Sequence, residues 1–233
     1  MTRPGSRSGW TLRPASQEVR TAFTCAGLLF VLFVAVYGGS NWLTAQCGDP
    51  YRLYFDWELS LPFVPAMVWV YLSLLATFVL PMFCLRQHDL ILLSRRLAWG
   101  LMLAGACFLL LPARLGFGRP EAVPEWDAVF RVIYALDFPH NLVPSLHIVW
   151  SAVILWTLRA ASPPWTQRLF ELWFALICVS VVLVHQHHLV DVFGGMLAVV
   201  AVVRAVGPAG RGIDPGKRKS GQAQGRTSWA RHG

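Results

Sequence analysis

The chain has 233 residues and a net charge of +8, and 55% of its residues are hydrophobic, whereas only 14% are charged. Soluble domains carry about 25% charged residues, so this composition excludes an ordinary soluble domain. We therefore predict an all-α integral membrane protein.

Six apolar stretches approach the length of about 20 residues that a helix needs to cross a bilayer. They cover residues 21–42, 62–85, 97–115, 145–161, 169–184 and 189–206. The pattern predicts a six-helix membrane domain over 21–206, after a basic segment (1–20) and before a disordered basic tail (207–233). The first stretch is interpreted as an uncleaved anchor because LTAQC, which follows it, lacks a small-residue cleavage pattern.

Basic residues are distributed unequally between the two ends of these stretches. Sixteen of the twenty Lys and Arg fall in the termini, between the second and third stretches, or between the fourth and fifth. The positive-inside rule then places both termini in the cytoplasm of a multi-pass protein of the cytoplasmic (inner) membrane. The basic tail would face lipid headgroups, so we expect the bilayer, and no nucleic acid, as its partner.

The longest connection, 116–144, lies on the outer side. Its apolar residues recur at helical spacing around residues 126–136. This spacing predicts a short amphipathic helix along the membrane surface.

Residues 184–195, VHQHHLVDVFGG, place three histidines and an aspartate in an apolar context. His187 and Asp191 are four residues apart, and His188 and Asp191 are three apart, so on a helix either histidine could meet the carboxylate. A carboxylate on one ring nitrogen fixes the tautomer and makes the other nitrogen more basic. That pairing is what a nucleophilic or general-base histidine requires.

A second histidine, His147, stands at the start of the fourth stretch in NLVPSLHIVW. Pro144 and Ser145 precede it and favour a helix N-terminus, whose free N–H groups bind anions. Arg114 and Arg119, in PARLGFGRP, add guanidinium groups suited to phosphate oxygens. All these residues fall at one end of the predicted bundle, which indicates phosphoryl transfer through a phosphohistidine, with the second histidine protonating the leaving oxygen.

The same residues are open to other interpretations. HxHH with Asp191 offers zinc donors, but His185 and His187 would point to different helix faces, and arginines repel a dication. We therefore expect no metal and no cofactor. The two arginines could instead be interfacial residues with snorkelling stems. Gly194 and Gly195 favour close helix packing. Asp56 and Glu58 are expected to form a structural turn.

At these residues the chain resembles the type 2 phosphatidic acid phosphatase superfamily, and within it the inositol-phosphorylceramide-synthase-like membrane branch. Arg119-Pro120 looks like the end of the first motif of that superfamily. Residues 144–147, Pro-Ser-Leu-His, match the second motif. Ser180, His187 and Asp191 have the spacing of the third. The strings FDWELSLPFVP, NLVPSLH and QHHLVDV look like the membrane branch in particular.

The resemblance implies a six-helix bundle and a metal-independent reaction on an amphiphilic phosphate, such as a phospholipid or an isoprenyl diphosphate. His187 would be the nucleophile and Asp191 its orienting partner, and His147 would be the acid for the leaving group. Arg119 and Ser145 would hold the phosphate. There are two departures: Pro112 stands where the first motif has a basic residue, so Arg114 is suggested as its substitute. Val181 replaces the arginine of the third motif, and His185 or Arg131 is suggested to compensate.

The sequence therefore predicts a membrane lipid phosphatase whose active site faces outward. Two alternatives remain open at this stage. A lipid phosphotransferase would pass the phospho group to an alcohol, and a membrane scaffold would retain the fold without catalysis. The acceptor, the lipid substrate and the oligomeric state do not follow from the sequence.

Overall fold

The computed structural model describes residues 14–207, and within that range the chain is helical and contains no strand. The all-α prediction is therefore confirmed. The predicted basic segment, 1–20, and the predicted tail, 207–233, lie largely outside the described residues.

Seven helices form the described part of the chain. They are α1 (Ser16–Thr44), α2 (Pro65–Cys84), α3 (Gln87–Leu110), α4 (Asp127–Leu136), α5 (Leu146–Ala160), α6 (Pro164–Leu183) and α7 (Leu189–Ala205). A π-helical turn at Val34–Gly38 lies inside α1, and a 3₁₀ turn, Asp56–Ser60, precedes α2. Each predicted apolar stretch thus contains a helix, and α4 is the predicted amphipathic helix of the long connection.

Four of these helices, α1, α2, α3 and α6, are long and apolar enough to cross a membrane. The other two apolar segments are shorter, with 15 residues in α5 and 17 in α7. Large apolar side chains stay exposed on the outer surfaces, including Phe23, Trp99 and Leu197. Exposed apolar area of this extent suits contact with lipid, so the helices are compatible with a multi-pass membrane protein.

The third helix differs most from its predicted boundaries. It begins at Gln87 rather than near residue 97, because a helix can continue into polar sequence beyond its apolar part. It ends at Leu110, where Leu111 takes φ −133° and ψ 63°. Pro112 follows, and the residue before a proline is disfavoured in helical geometry. Arg114 and Arg119 therefore lie in the loop between α3 and α4.

The α5 helix occupies the centre of the molecule and packs against α2, α3, α6 and α7. Its contact with α7 is close because α7 presents Gly194 and Gly195. A Cβ atom at Gly195 would lie 2.8 Å from the Ile148 Cβ atom and 3.2 Å from the Ser145 carbonyl oxygen. The predicted role in close helix packing is confirmed for Gly195, whereas a Cβ atom at Gly194 would lie 3.1 Å from Val143, in the segment before α5. The contact at Gly195 sets where α7 begins relative to the first turn of α5.

Gly195→Ala is therefore expected to destabilise the protein by about 1–3 kcal/mol, the usual result of overpacking a tight contact. Thermal unfolding in detergent measures this. Gly27→Ala in α1 is the matched control, because a Cβ atom there meets nothing within 4 Å. Equal melting temperatures for the two variants would contradict the close contact.

Candidate functional site

The site begins where α6 ends and the chain turns toward α7. His185 adopts φ 55°, in the left-handed region, which terminates α6. The N–H groups of Gln186 and His187 both donate to the Val181 carbonyl oxygen, at 3.1 and 3.0 Å. This turn places His187 two residues before Leu189, the first residue of α7, and His188 is the N-cap residue.

Asp191, in the first turn of α7, has a buried carboxylate with two partners. Its Oδ2 accepts a hydrogen bond from the His188 N–H at 2.8 Å and lies 3.2 Å from His187 Nδ1. The first contact caps α7, whose leading N–H groups have no partner within the helix. The second requires the proton on His187 Nδ1, because a carboxylate only accepts. Nε2 of His187 is thus left with a lone pair.

The start of α5 meets the same residues. The Ser145 N–H donates to the Asp191 carbonyl oxygen at 3.1 Å. His147, in the first turn of α5, places Nδ1 3.4 Å from His187 Nε2. The two segments that the sequence singled out, 144–147 and 187–191, are therefore in contact.

Two hydrogen-bonding atoms near this contact are buried and unpaired. Ser145 Oγ and Arg119 Nε have no hydrogen-bond partner within residues 14–207. The Arg119 guanidinium is nevertheless held in place. It donates to the Asp137 carbonyl oxygen at 2.6 Å and to Gln186 Oε1 at 3.3 Å, and it lies 4.8 Å from the Tyr134 ring centroid. Buried unpaired polar groups are rare in folded proteins, and such groups beside a cationic side chain can receive an anion.

Three of the predicted or suggested charges are not brought into this arrangement. Arg114 is exposed, and its side chain makes no hydrogen bond or ion pair within the described residues. Arg131 pairs with Asp127 at 3.0 Å on an exposed face of α4. His185 places Nε2 3.2 Å from the Leu61 carbonyl oxygen. The contacts of Arg131 and His185 thus lie with Asp127 and the Leu61 carbonyl oxygen, and Arg114, suggested as the substitute at Pro112, is exposed.

His188 and His185 belong instead to a column of stacked rings. Tyr54 and His188 have ring centroids 4.4 Å apart, His188 and Phe117 4.3 Å, and Phe117 and His185 4.0 Å. Adjacent rings lie within 16° of parallel. The sequence did not indicate this column, because its members come from three separate loops.

Glu58 lies beside the column and is completely buried. Its oxygens accept hydrogen bonds from the Phe55 and Leu189 N–H groups at 3.0 and 2.8 Å. Its Oε2 lies 3.3 Å from His188 Nδ1. The Gly116 N–H donates to His188 Nε2 at 3.0 Å, so the proton of the neutral ring is on Nδ1 and faces Glu58. Glu58 is thus more than the turn residue that the sequence predicted, because it also caps α7.

The three histidines that suggested a zinc site therefore diverge. His187 faces His147, His188 lies between two aromatic rings, and His185 faces a main-chain oxygen. Over residues 14–207, no group of three His, Cys, Asp or Glu side chains is arranged to hold a metal ion.

The sequence did not indicate one acidic residue at the site, Asp137. Asp137 follows α4 and lies with Oδ2 3.8 Å from His147 Nε2. It also accepts hydrogen bonds from the hydroxyl groups of Tyr71, in α2, and Tyr37, in α1, the latter at 3.4 Å. The available signal was weak: Asp137 is the last acidic residue before Pro-Ser-Leu-His, and the two tyrosines carry no motif.

Comparison of the chain with models of known protein families and with curated proteins gives no match.

The burial of His188 predicts an acid-sensitive stability. Burial lowers the pKa of His188 from its usual 6.5, while Asp191 and Glu58 act in the opposite direction. The unfolded state then takes up the proton more readily than the folded state. The contribution of His188 to the free energy of unfolding is therefore complete above about pH 6.5, and it is lost as the pH falls from there through the lower pKa of the folded state. One proton contributes a slope of at most about 1.4 kcal/mol per pH unit.

Replacing His188 by Phe keeps an aromatic ring in the column and removes the titration. We expect a lower stability at neutral pH, by about 1–3 kcal/mol, because the Gly116 N–H loses its acceptor. The loss of stability on acidification should be smaller than in the wild type. Chemical unfolding between pH 5 and 8 measures both, with His88→Phe at an exposed position of α3 as the control. An acid slope that is the same in wild type and His188→Phe would contradict the prediction.

Proposed function

We propose that the protein is a membrane lipid phosphatase that acts through a phosphohistidine at His187. The observation that carries the proposal is the alignment of three side chains. The Asp191 carboxylate faces Nδ1 of His187, and Nε2 of the same ring faces the imidazole of His147. A nucleophile, its orienting carboxylate and a second histidine suited to acid catalysis are thus adjacent.

In this mechanism His187 Nε2 attacks the phosphorus atom of a lipid phosphate. The bond from phosphorus to the leaving oxygen breaks, and His147 gives a proton to that oxygen. Asp191 stabilises the positive charge that develops on the His187 ring. Water then attacks the phosphorus atom and gives a proton to His147, the phosphorus–nitrogen bond breaks, and inorganic phosphate is released.

The groups around the two histidines support an anionic substrate. Ser145 Oγ and Arg119 Nε are buried donors without a partner in the described part of the chain. The N-terminus of α5 adds the partial positive charge of a helix start. Together they would hold the oxygens of the phosphoryl group while its charge redistributes.

The apolar helices support a lipid as the rest of the substrate. We infer that α5 and α7 complete a bundle of six transmembrane helices of the type 2 phosphatidic acid phosphatase kind, since α5 packs against α2, α3 and α6, and α7 packs against α3 and α5. The distribution of Lys and Arg favours cytoplasmic termini and an outward-facing site in the cytoplasmic membrane. The substrate class is a phosphomonoester or diphosphate of a phospholipid or isoprenoid.

The second candidate is a lipid phosphotransferase that passes the phospho group to an alcohol. The observation that favours it is the missing charge at Val181, which is fully buried, and for which neither Arg131 nor His185 compensates. A site with fewer cationic groups resembles the synthase-like branch more than the phosphatases. A scaffold without activity is the remaining alternative.

Purified protein is expected to release phosphate from phosphatidic acid, phosphatidylglycerol phosphate or an isoprenyl diphosphate with a chelator present. His187→Ala should abolish the release, because no nucleophile remains. His147→Ala should lower it by about 10²- to 10⁴-fold, the usual contribution of an acid catalyst.

His88→Ala, at an exposed position of α3, is the matched control and should retain full activity. Turnover that appears only when an alcohol acceptor is added would favour the transferase. Unchanged turnover in His187→Ala would contradict the phosphohistidine mechanism. If the wild-type protein releases phosphate without a chelator but not with one, a metal-dependent mechanism would be favoured instead.

A further inference from the structure

We propose that Asp137 is the positioning residue of His147, and that it holds this histidine with a proton on the nitrogen that faces the phosphoryl site. The observation is the juxtaposition of the Asp137 carboxylate with the outer nitrogen of the His147 ring. The proposal rests on the function proposed above and assigns a fourth residue to the same reaction.

Four side chains lie in one continuous line. Asp191 faces His187 at 3.2 Å, His187 faces His147 at 3.4 Å, and the Oδ2 of Asp137 lies 3.8 Å from His147 Nε2. Each imidazole therefore has a carboxylate on its outer nitrogen and the other imidazole on its inner nitrogen. The arrangement is nearly symmetric, although Asp137 follows the end of α4 and Asp191 lies in the first turn of α7.

Asp137 is held from several sides. Tyr71 and Tyr37 donate their hydroxyl groups to its two carboxylate oxygens. Arg119 donates to its main-chain oxygen at 2.6 Å. The residue that faces the proposed acid is thus also bonded to the arginine of the proposed phosphate site. Two helices and a loop fix its position, so the ion-pair distance to His147 is set by the fold.

The partners of the four ring nitrogens determine where the two imidazole rings carry their protons. Because a carboxylate only accepts, His187 carries a proton on Nδ1, which faces Asp191 at 3.2 Å. Asp137 lies 3.8 Å from His147 Nε2, beyond hydrogen-bond distance, and its negative charge favours the tautomer of His147 with the proton on Nε2. The two inner nitrogens, His187 Nε2 and His147 Nδ1, would then oppose each other with lone pairs at 3.4 Å. One further proton between them converts this repulsion into a hydrogen bond, and one imidazole becomes an imidazolium.

That inner proton is the one that the reaction needs. As the bond between phosphorus and the leaving oxygen breaks, His147 Nδ1 gives the proton to that oxygen. His147 then returns to a neutral ring whose remaining proton, on Nε2, faces Asp137. An unpaired imidazolium in a buried position is costly, and Asp137 offsets that cost. Without Asp137, the imidazolium would be still less favoured, so the acid form of His147 would be rarer.

The test compares two leaving groups. Departure of an alkoxide from a lipid phosphate needs a proton, whereas departure of 4-nitrophenolate from 4-nitrophenyl phosphate needs almost none. Asp137→Asn is expected to lower turnover of the lipid phosphate by about 10²- to 10⁴-fold, as loss of acid catalysis does. Turnover of 4-nitrophenyl phosphate should fall less than 10-fold by the same argument. His147→Ala should show the same difference between the two substrates, whereas Asp191→Asn should lose turnover of both.

Asp127→Asn is the matched control, since it removes the same charge from an exposed position of α4. Asp137→Glu keeps the carboxylate and should restore part of the lipid activity. Equal losses of both substrates in Asp137→Asn would overturn the positioning role. Unimpaired lipid turnover in that variant would overturn it as well.

A second readout does not depend on activity. The protonation of His147 can be followed by ¹⁵N NMR of the imidazole, which faces Asp137, His187 and the Tyr71 ring. Asp137→Asn should shift the protonation of His147 to lower pH, and Asp127→Asn should leave it unchanged. An unchanged titration overturns the inference even if the enzyme is active. If wild-type protein releases no phosphate and the titration still shifts, the proposed function fails and the Asp137–His147 pairing stands.

Discussion

The Asp191 carboxylate is the contact on which the rest of the site depends. It accepts the N–H that starts α7, and it orients the His187 ring. The carbonyl oxygen of the same residue accepts the N–H of Ser145, at the start of α5. One buried residue therefore sets the beginnings of two helices and the direction of the proposed nucleophile. The close packing at Gly195 keeps these helix starts together, since any larger residue would separate them.

A second buried carboxylate also accepts a main-chain N–H at the start of α7. Glu58 accepts the Leu189 N–H and faces His188, whereas Asp191 accepts the His188 N–H and faces His187. Adjacent histidines are thereby directed apart, one into the ring column and the other into the proposed site. Two carboxylates near a helix N-terminus also suit its partial positive charge. His188 with Glu58 thus belongs to the packing around the ring column, and His187 with Asp191 belongs to the proposed site.

Much of this could be predicted from the sequence, because the relevant signals are local. Apolar stretches predicted the approximate positions of the six apolar helices, helical spacing predicted α4, and the four-residue separation predicted the pairing of His187 with Asp191. Contacts made between distant loops carry no such signal. Asp137 meets His147 only because α4 ends beside α5, and Glu58 meets Leu189 across 131 positions of the chain. Arg114 shows the converse, since spacing identified it as a phosphate ligand but does not determine where a loop side chain points. The structure leaves it exposed.

The central claim is that a covalent bond forms between phosphorus and His187, and it can be observed directly. The protein would be mixed with a lipid phosphate, quenched in alkali within the first turnovers, digested, and examined by mass spectrometry. The account predicts a phosphate on the peptide that contains His187, stable in alkali and labile in acid, and absent from His187→Ala. Accumulation should be greater in a variant with slowed hydrolysis of the intermediate. Turnover of the lipid phosphate with no phosphate on that peptide, or with phosphate on another residue, would contradict it.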